Sequence, residues 1–188
     1  MKLIKLGLAT LLASGALFAG TFNVDKAHSN IGFKVKHMMV SNVVGNFKDF
    51  SGTIEYDEKT KTLKSISGTV AVASINTENE KRDDHLRADD FFAAKEFPNI
   101  TFESTKIEGD EVTGNFTLRG VTKELTFDLE NNGTIVDHRG NTRVGLSLEG
   151  KINRKDFGVK YNKILEAGGV AVGDKVKLII DLEGVLKK

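Results

Sequence analysis

Val121–Glu130 reads VTKELTFDLE. Val121, Lys123, Leu125, Phe127 and Leu129 fall on one side of an extended chain, and Thr122, Glu124, Thr126, Asp128 and Glu130 on the other. Successive side chains of a strand point to opposite faces, so this alternation marks a strand with one buried and one wet face. A single lysine, close to the strand's start, interrupts the apolar side. The same period of two runs through Arg143–Asn153, where Val144, Leu146, Leu148, Gly150 and Ile152 are in phase. It recurs in Asp174–Val185, where Val176, Leu178, Ile180 and Leu182 alternate with Lys175, Lys177, Asp181 and Glu183. Glu111–Leu118 and Ser65–Ile75 repeat it, and weaker versions cover Ser29–Val35, Phe47–Tyr56 and Ile100–Ile107.

These segments predict about eight strands. Turn signals separate them at Asp57–Thr60, Gly109-Asp110, Arg119-Gly120, Asn131–Gly133 and Gly140-Asn141. The Gly109-Asp110 and Arg119-Gly120 links are short enough to make antiparallel hairpins. An antiparallel sheet of this size with one polar face closes into a barrel or folds into a sandwich. One stretch breaks the pattern: Thr77–Ala94 is charged, rich in helix formers and free of glycine and proline. Thr77 and Glu80 have the spacing of a capping box. Leu86, Phe91 and Phe92 give the expected helix an apolar edge, and Pro98, the only proline, ends the excursion. Asn153–Gly173 reads as a second irregular region.

The first residues are of another kind. Lys2 and Lys5 precede an uncharged apolar run, Leu6–Phe18, and Ala16, Ala19 and Gly20 are small. This is the layout of a secretory signal peptide over residues 1–19, cut after Ala19, with the barrel over 20–188. The run is short for a membrane-spanning helix, which needs about 20 apolar residues. The chain holds 27 basic and 26 acidic residues, a formal charge of +1, which becomes −1 without the two leader lysines. No long run of one sign exists, and nothing resembles the basic footprint of a nucleic-acid binder or a polybasic membrane anchor, so no nucleic-acid partner is expected.

Gly52, Gly68, Gly114, Gly150 and Gly184 all fall on the apolar side of their strands. Inward glycines supply curvature, or they leave room for a lumen. An eight-stranded barrel is at the size where the interior is either packed or holds one small ligand. The candidate lining is Phe50, Ile66, Val70, Val72, Phe102, Phe116, Leu125, Phe127, Leu146, Leu148, Ile152, Leu178 and Ile180. Such a lining suits a long apolar molecule held by burial.

Catalytic signatures are weak. His28, His37, His85 and His138 match no zinc spacing, so no metal site is expected. There is no Gly-x-Ser-x-Gly elbow, no cysteine, no phosphate loop and no dinucleotide fingerprint. Ser29 follows His28 directly, and neighbours on a strand face opposite ways. The densest polar cluster, Arg82–Arg87, is either a solvated helix face or a patch for a polar head group.

Several short pieces, in this order, resemble the YceI-like family of polyisoprenoid-binding proteins. They are Asp25–Ser29 followed by Ile31-Gly32-Phe33 and His37, then Val44–Phe47, and Arg82–Arg87 leading into Asp90-Phe91-Phe92. Phe97–Phe102, Leu118–Lys123 and Asn153–Gly158 complete the set. The resemblance implies an all-β protein, an extended lipocalin-like barrel of eight antiparallel strands with a short helical insertion. It also implies a periplasmic home and an elongated cavity for an isoprenoid, such as a polyprenyl phosphate or quinone. It implies carriage or storage, and neither an enzyme nor a cofactor beyond the bound lipid. His85, Arg87 and Arg154 are the candidates for the head group, which wants donors near the cavity mouth. Two other readings stay open: a lipid-modifying enzyme, and a partner-binding scaffold with a packed core. So do two partners besides the apolar lipid: a second copy in a homodimer, and a transient contact with a membrane or membrane protein.

Overall fold

The computed structural model describes residues 19–166 and 168–188; the leader expected from the sequence lies, apart from Ala19, outside them. Eleven strands follow one another as β1 (Gly20–Val24), β2 (Asn30–His37), β3 (Ser41–Phe47), β4 (Phe50–Asp57), β5 (Thr62–Ala71), β6 (Ile75–Asn76), β7 (Asn99–Glu108), β8 (Glu111–Leu118), β9 (Val121–Val136), β10 (Thr142–Asn153) and β11 (Val172–Leu186). One helix, α1 (Glu80–Arg87), and short 3-10 turns at Val72–Ser74 and Arg154–Phe157 complete the fold. All strand pairs are antiparallel, in the order β1-β4-β5-β7-β8-β9-β10-β11, and β1 pairs back onto β11. That closes a barrel of eight strands and removes its edges. β2, β3 and β6 continue the wall from the other part of β11.

The joint between β1 and β2 explains one of the sequence motifs. Asp25 accepts the Ala27 N–H at 3.0 Å and turns the chain. The Ser29 hydroxyl accepts the Glu183 N–H at 2.9 Å, taking the place of a ladder bond with β11. Arg143 of β10 donates to Asp25 at 2.9 Å, to Asp137 at 2.8 Å, and to Glu183. Asp25, His28 and Glu183 also lie close enough together to ligate a cation. Both carboxylates are already engaged by Arg143, so the group is an ion-pair network.

Both short hairpins form as expected. Arg119 (φ 50°) and Gly120 (φ 72°) both take the left-handed backbone that a tight turn between right-twisted strands demands. Asn131–Gly133, read as a turn, instead lies inside β9 as a bulge: Leu146 faces Asn131 and Gly145 faces Gly133. The Asn131 side chain, not a chain reversal, accounts for the composition there. It accepts from the Tyr56 hydroxyl at 3.1 Å and donates to the Lys61 carbonyl at 3.0 Å, bracing one barrel end.

The helix is shorter than Thr77–Ala94. Its cap is Asn79, which accepts the Arg82 N–H at 2.9 Å, not Thr77. Thr77 belongs to the exit from β6, and its N–H and hydroxyl donate to buried Asp83 at 2.9 and 2.6 Å. Phe91 and Phe92 both turn toward the barrel interior; a helix would hold neighbours about 100° apart, so the chain leaves the helix before them.

Two apolar clusters fill the barrel. One, around Phe22, Ile54, Tyr56, Val112, Phe127 and Val144, packs one end solid. The other, around Phe33, Phe47, Phe91, Phe116 and Phe157, occupies the end roofed by α1.

The Arg143 network sets an acid response. Hydrogen bonds from His28 and Arg143 pull the Asp25 carboxyl down to about 2, and Arg143 holds Asp137 well below the usual carboxylate range. A lowered folded-state value gives stability that is full above the unfolded value of 3.8 and is lost as pH falls through the folded one. Melting curves between pH 4 and pH 2 should therefore fall more steeply for the native protein than for Arg143→Gln. Parallel acid limbs would show that the network contributes nothing.

Candidate ligand-binding cavity

Two apolar chambers remain where the clusters meet. The inner one, about 110 Å³, lies at mid-barrel. Of the residues expected from the sequence, Phe50, Ile66, Val70, Phe102, Phe116, Phe127, Leu148, Leu178 and Ile180 line it. The outer one, about 90 Å³, lies beneath α1, and Ile152 lines it together with Leu86, Phe91 and Phe92. Phe33, Phe47, Ile100, Phe116 and Leu178 belong to both walls, a girdle between the chambers. Among the described residues no titratable side chain lines the inner chamber, and only Arg154 lines the outer.

Three expected lining residues do not border either chamber. Val72 is 1 % exposed within a 3-10 turn, where its N–H donates to the Pro98 carbonyl. Leu146 is 1 % exposed inside the solid end. Leu125 packs between the two clusters. Val24, Ile31, Phe33, Phe47 and Ile100 were missed, because their strands alternate weakly or are shorter than a clear period. The outer chamber's aromatic roof was unreadable as lining, since Phe91 and Phe92 come from turns.

The five in-phase glycines divide. Gly52 and Gly68 are register partners and line the inner chamber, so the wall there is bare backbone. Only Gly68 has room for a side chain: a Cβ at Gly52 would sit 2.7 Å from the Ser67 carbonyl oxygen, and the other three are as tight. A Cβ at Gly114 would sit 2.6 Å from the Phe102 ring, and one at Gly150 would sit 2.7 Å from the Phe127 ring. One at Gly184 would meet Phe22 at 2.9 Å. Gly114 and Gly150 let large rings lie against the neighbouring strand, and Gly184 makes room for Phe22, Val144 and Ile54.

The head-group candidates are placed as follows. Arg154 is 4 % exposed, and burial lowers its pKa. All five of its N–H groups are used: on the carbonyls of Gly173, Val159, Tyr161 and Val172, and on Asp174. It ties the Val159–Gly173 loop to the barrel and has no donor left for a head group. Arg87 is committed to the Ala73 and Ile75 carbonyls and to Asp84, outside both chambers. His85 bonds through Nε2 to Asp90 at 2.8 Å and stands edge-on to Phe91 and Tyr161 above the outer chamber. Its Nδ1 has no partner among the described residues.

A closed antiparallel barrel of eight strands with an apolar, aromatic-lined interior is a lipocalin-like fold. Residues 22–184 match the YceI-like domain, and the chain belongs to that family. It is 41% identical over 157 residues to a UPF0312 protein of Staphylococcus aureus strain N315, covering 83% of this chain and 92% of that protein. The crystal structure of a Campylobacter jejuni YceI protein superposes with a TM-score of 0.71 at 40% identity, covering 87% of this chain and 96% of that one. A polyisoprenoid binding domain from Saccharophagus degradans shares the fold, with a TM-score of 0.67 at 15% identity over 90% of this chain and 99% of that one.

Gly68 is the position that separates cavity from packing. A Cβ there would approach the Ser51 carbonyl at 3.3 Å and nothing closer. Gly68→Leu should fill the inner chamber at a cost of about 1–3 kcal/mol and weaken binding of an apolar reporter dye at least about tenfold. Unchanged dye binding in a folded Gly68→Leu variant would show that the inner chamber is not the site.

Proposed function

We propose that the protein is an exported, periplasmic carrier or store for a long-chain isoprenoid or similar apolar lipid, a polyprenyl phosphate or a quinone. The observation that carries this reading is the pair of adjoining dry chambers along the barrel interior. Withdrawing apolar surface from water contributes about 25 cal/mol per Å² of chain, so a long hydrocarbon gains affinity with each unit it inserts. A chain longer than one chamber passes the girdle by turning aside Phe33, Phe47 or Phe116. The leader-like start, with Lys2, Lys5 and the apolar Leu6–Phe18, supports export.

Among the described residues the lining holds no carboxylate or histidine to activate its Ser51, Ser67 or Thr101, which favours binding over lipid modification. The packed-scaffold alternative suits the solid end of the barrel but not the glycine-walled chamber. His85 is the head-group contact that this reading retains, because its ring sits over the outer chamber with one nitrogen unengaged.

Native mass spectrometry of the processed protein, followed by organic extraction, tests the reading. The expected result is an apolar molecule bound at close to one per chain, or stoichiometric uptake of an added polyprenyl phosphate or quinone. A protein that is empty and takes up neither would sink it.

A further inference from the structure

The outer face of β10, β11 and β2 carries a charge pattern that the strand-by-strand reading hides. Lys151 of β10 faces Lys177 of β11, and Lys177 faces Lys34 of β2. Three lysines thus stand in register across three adjacent strands, and like charges directly opposite one another are destabilising. Lys36 and Lys175 lie exposed on the same face, two residues nearer the barrel end. Among the described residues the only ion pair in this set is Lys177 with Glu149, at 2.7 Å. A formal charge near zero for the whole chain conceals this local concentration.

The lysine face runs into an exposed apolar tip. Val44, the register partner of Lys34 on β3, is 62% exposed. The β2–β3 hairpin ends in Met38, Met39 and Val40, the last 84% exposed. Beside it is a second small hairpin, closed by the Ile164–Val170 bridge, whose Ile164 is 88% exposed. The two are joined by the bond from the Met38 N–H to the Ala171 carbonyl at 2.9 Å. Lys163 precedes Ile164 and Leu165 follows it. This tip continues the wall of the outer chamber: Val35 and Val172 line that chamber, and the chain reaches Met38 and Ala171 within a few residues.

We infer that this end of the barrel docks on an anionic lipid bilayer. Lysines within a Debye length of the surface are drawn to acidic head groups, while Met, Val and Ile side chains enter the boundary between head groups and acyl chains. Neither half of the surface suits another use as well. Lysine rows would repel a second copy of themselves, and exposed aliphatic tips gain nothing from a free anion. In this orientation the end of the barrel that holds the outer chamber faces the membrane. The inference goes beyond the carrier reading and is tested apart from it.

Flotation of the processed protein, expressed from the full chain, with vesicles of phosphatidylcholine alone or mixed with phosphatidylglycerol tests the surface. Binding is expected only to the mixed vesicles, and raising salt to about 0.5 M should abolish it. Lys34→Gln/Lys151→Gln/Lys177→Gln should weaken it at least about tenfold, and Met39→Ser/Ile164→Ser should weaken it as well. Lys34, Lys151, Met39 and Ile164 are exposed and Lys177 is half-buried, so melting that is not lowered and unaltered uptake of a short polyprenol from solution control for folding. Failure to float with mixed vesicles, or flotation unaffected by the lysine variant, would overturn the inference. So would a homodimer that Met39→Ser/Ile164→Ser disperses without changing flotation. Vesicle binding by a protein that takes up no lipid would retire the carrier reading and leave this surface standing.

Discussion

The fold depends on how β11 is shared. Eleven of its fifteen residues pair along one edge with β10, and the other edge is divided between β2 and β1. Without the β1 pairing at Val24–Phe22 against Gly184–Leu186, the sheet would be open and its interior wet. The Asp25–Ser29 kink makes the division possible, and Arg143, bridging Asp25, Asp137 and Glu183, holds the kink against β10 and β11. A polar clamp on the outside of the wall thus secures a dry space inside it.

Closure by itself gives a packed barrel. The hollow arises because the two ends are filled differently. At the end braced by Asn131, rings from one strand lie over glycines of the next, Phe102 over Gly114 and Phe127 over Gly150, and space is consumed. At mid-barrel Gly52 and Gly68 face each other with no ring laid across them, and space remains. Beneath α1, the Arg154 guanidinium keeps the Val159–Gly173 loop folded over the second chamber, satisfying carbonyls that would otherwise be buried alone.

Much of this was legible in the chain. β8, β9, β10 and β11 announced themselves through alternation, interrupted in β9 by Lys123, and Arg119-Gly120 named its own hairpin. Most of the predicted lining came from those strands and from β4, β5 and β7. What stayed hidden had physical causes. Alternation shows which face a residue takes but not whether a neighbouring ring fills the space a glycine leaves. That is why Gly114, Gly150 and Gly184 looked like Gly52 and Gly68. Arg154 stood as a head-group candidate because sequence carries no hydrogen-bond count; its five donors are spent on groups between five and twenty residues away. The helix overran because Phe91 and Phe92 look like an apolar edge until both are required to face one chamber. The lysine row escaped notice because its members lie on three strands and meet only through register.

The central claim is that affinity comes from apolar chain buried along the barrel. Calorimetric titration of the processed protein with polyprenols of increasing length, at several temperatures, tests it most directly. The account predicts affinity that rises with each added isoprene unit until the chambers are filled, with a negative heat-capacity change that grows in step. Affinity independent of chain length, or set by the head group alone, would contradict it.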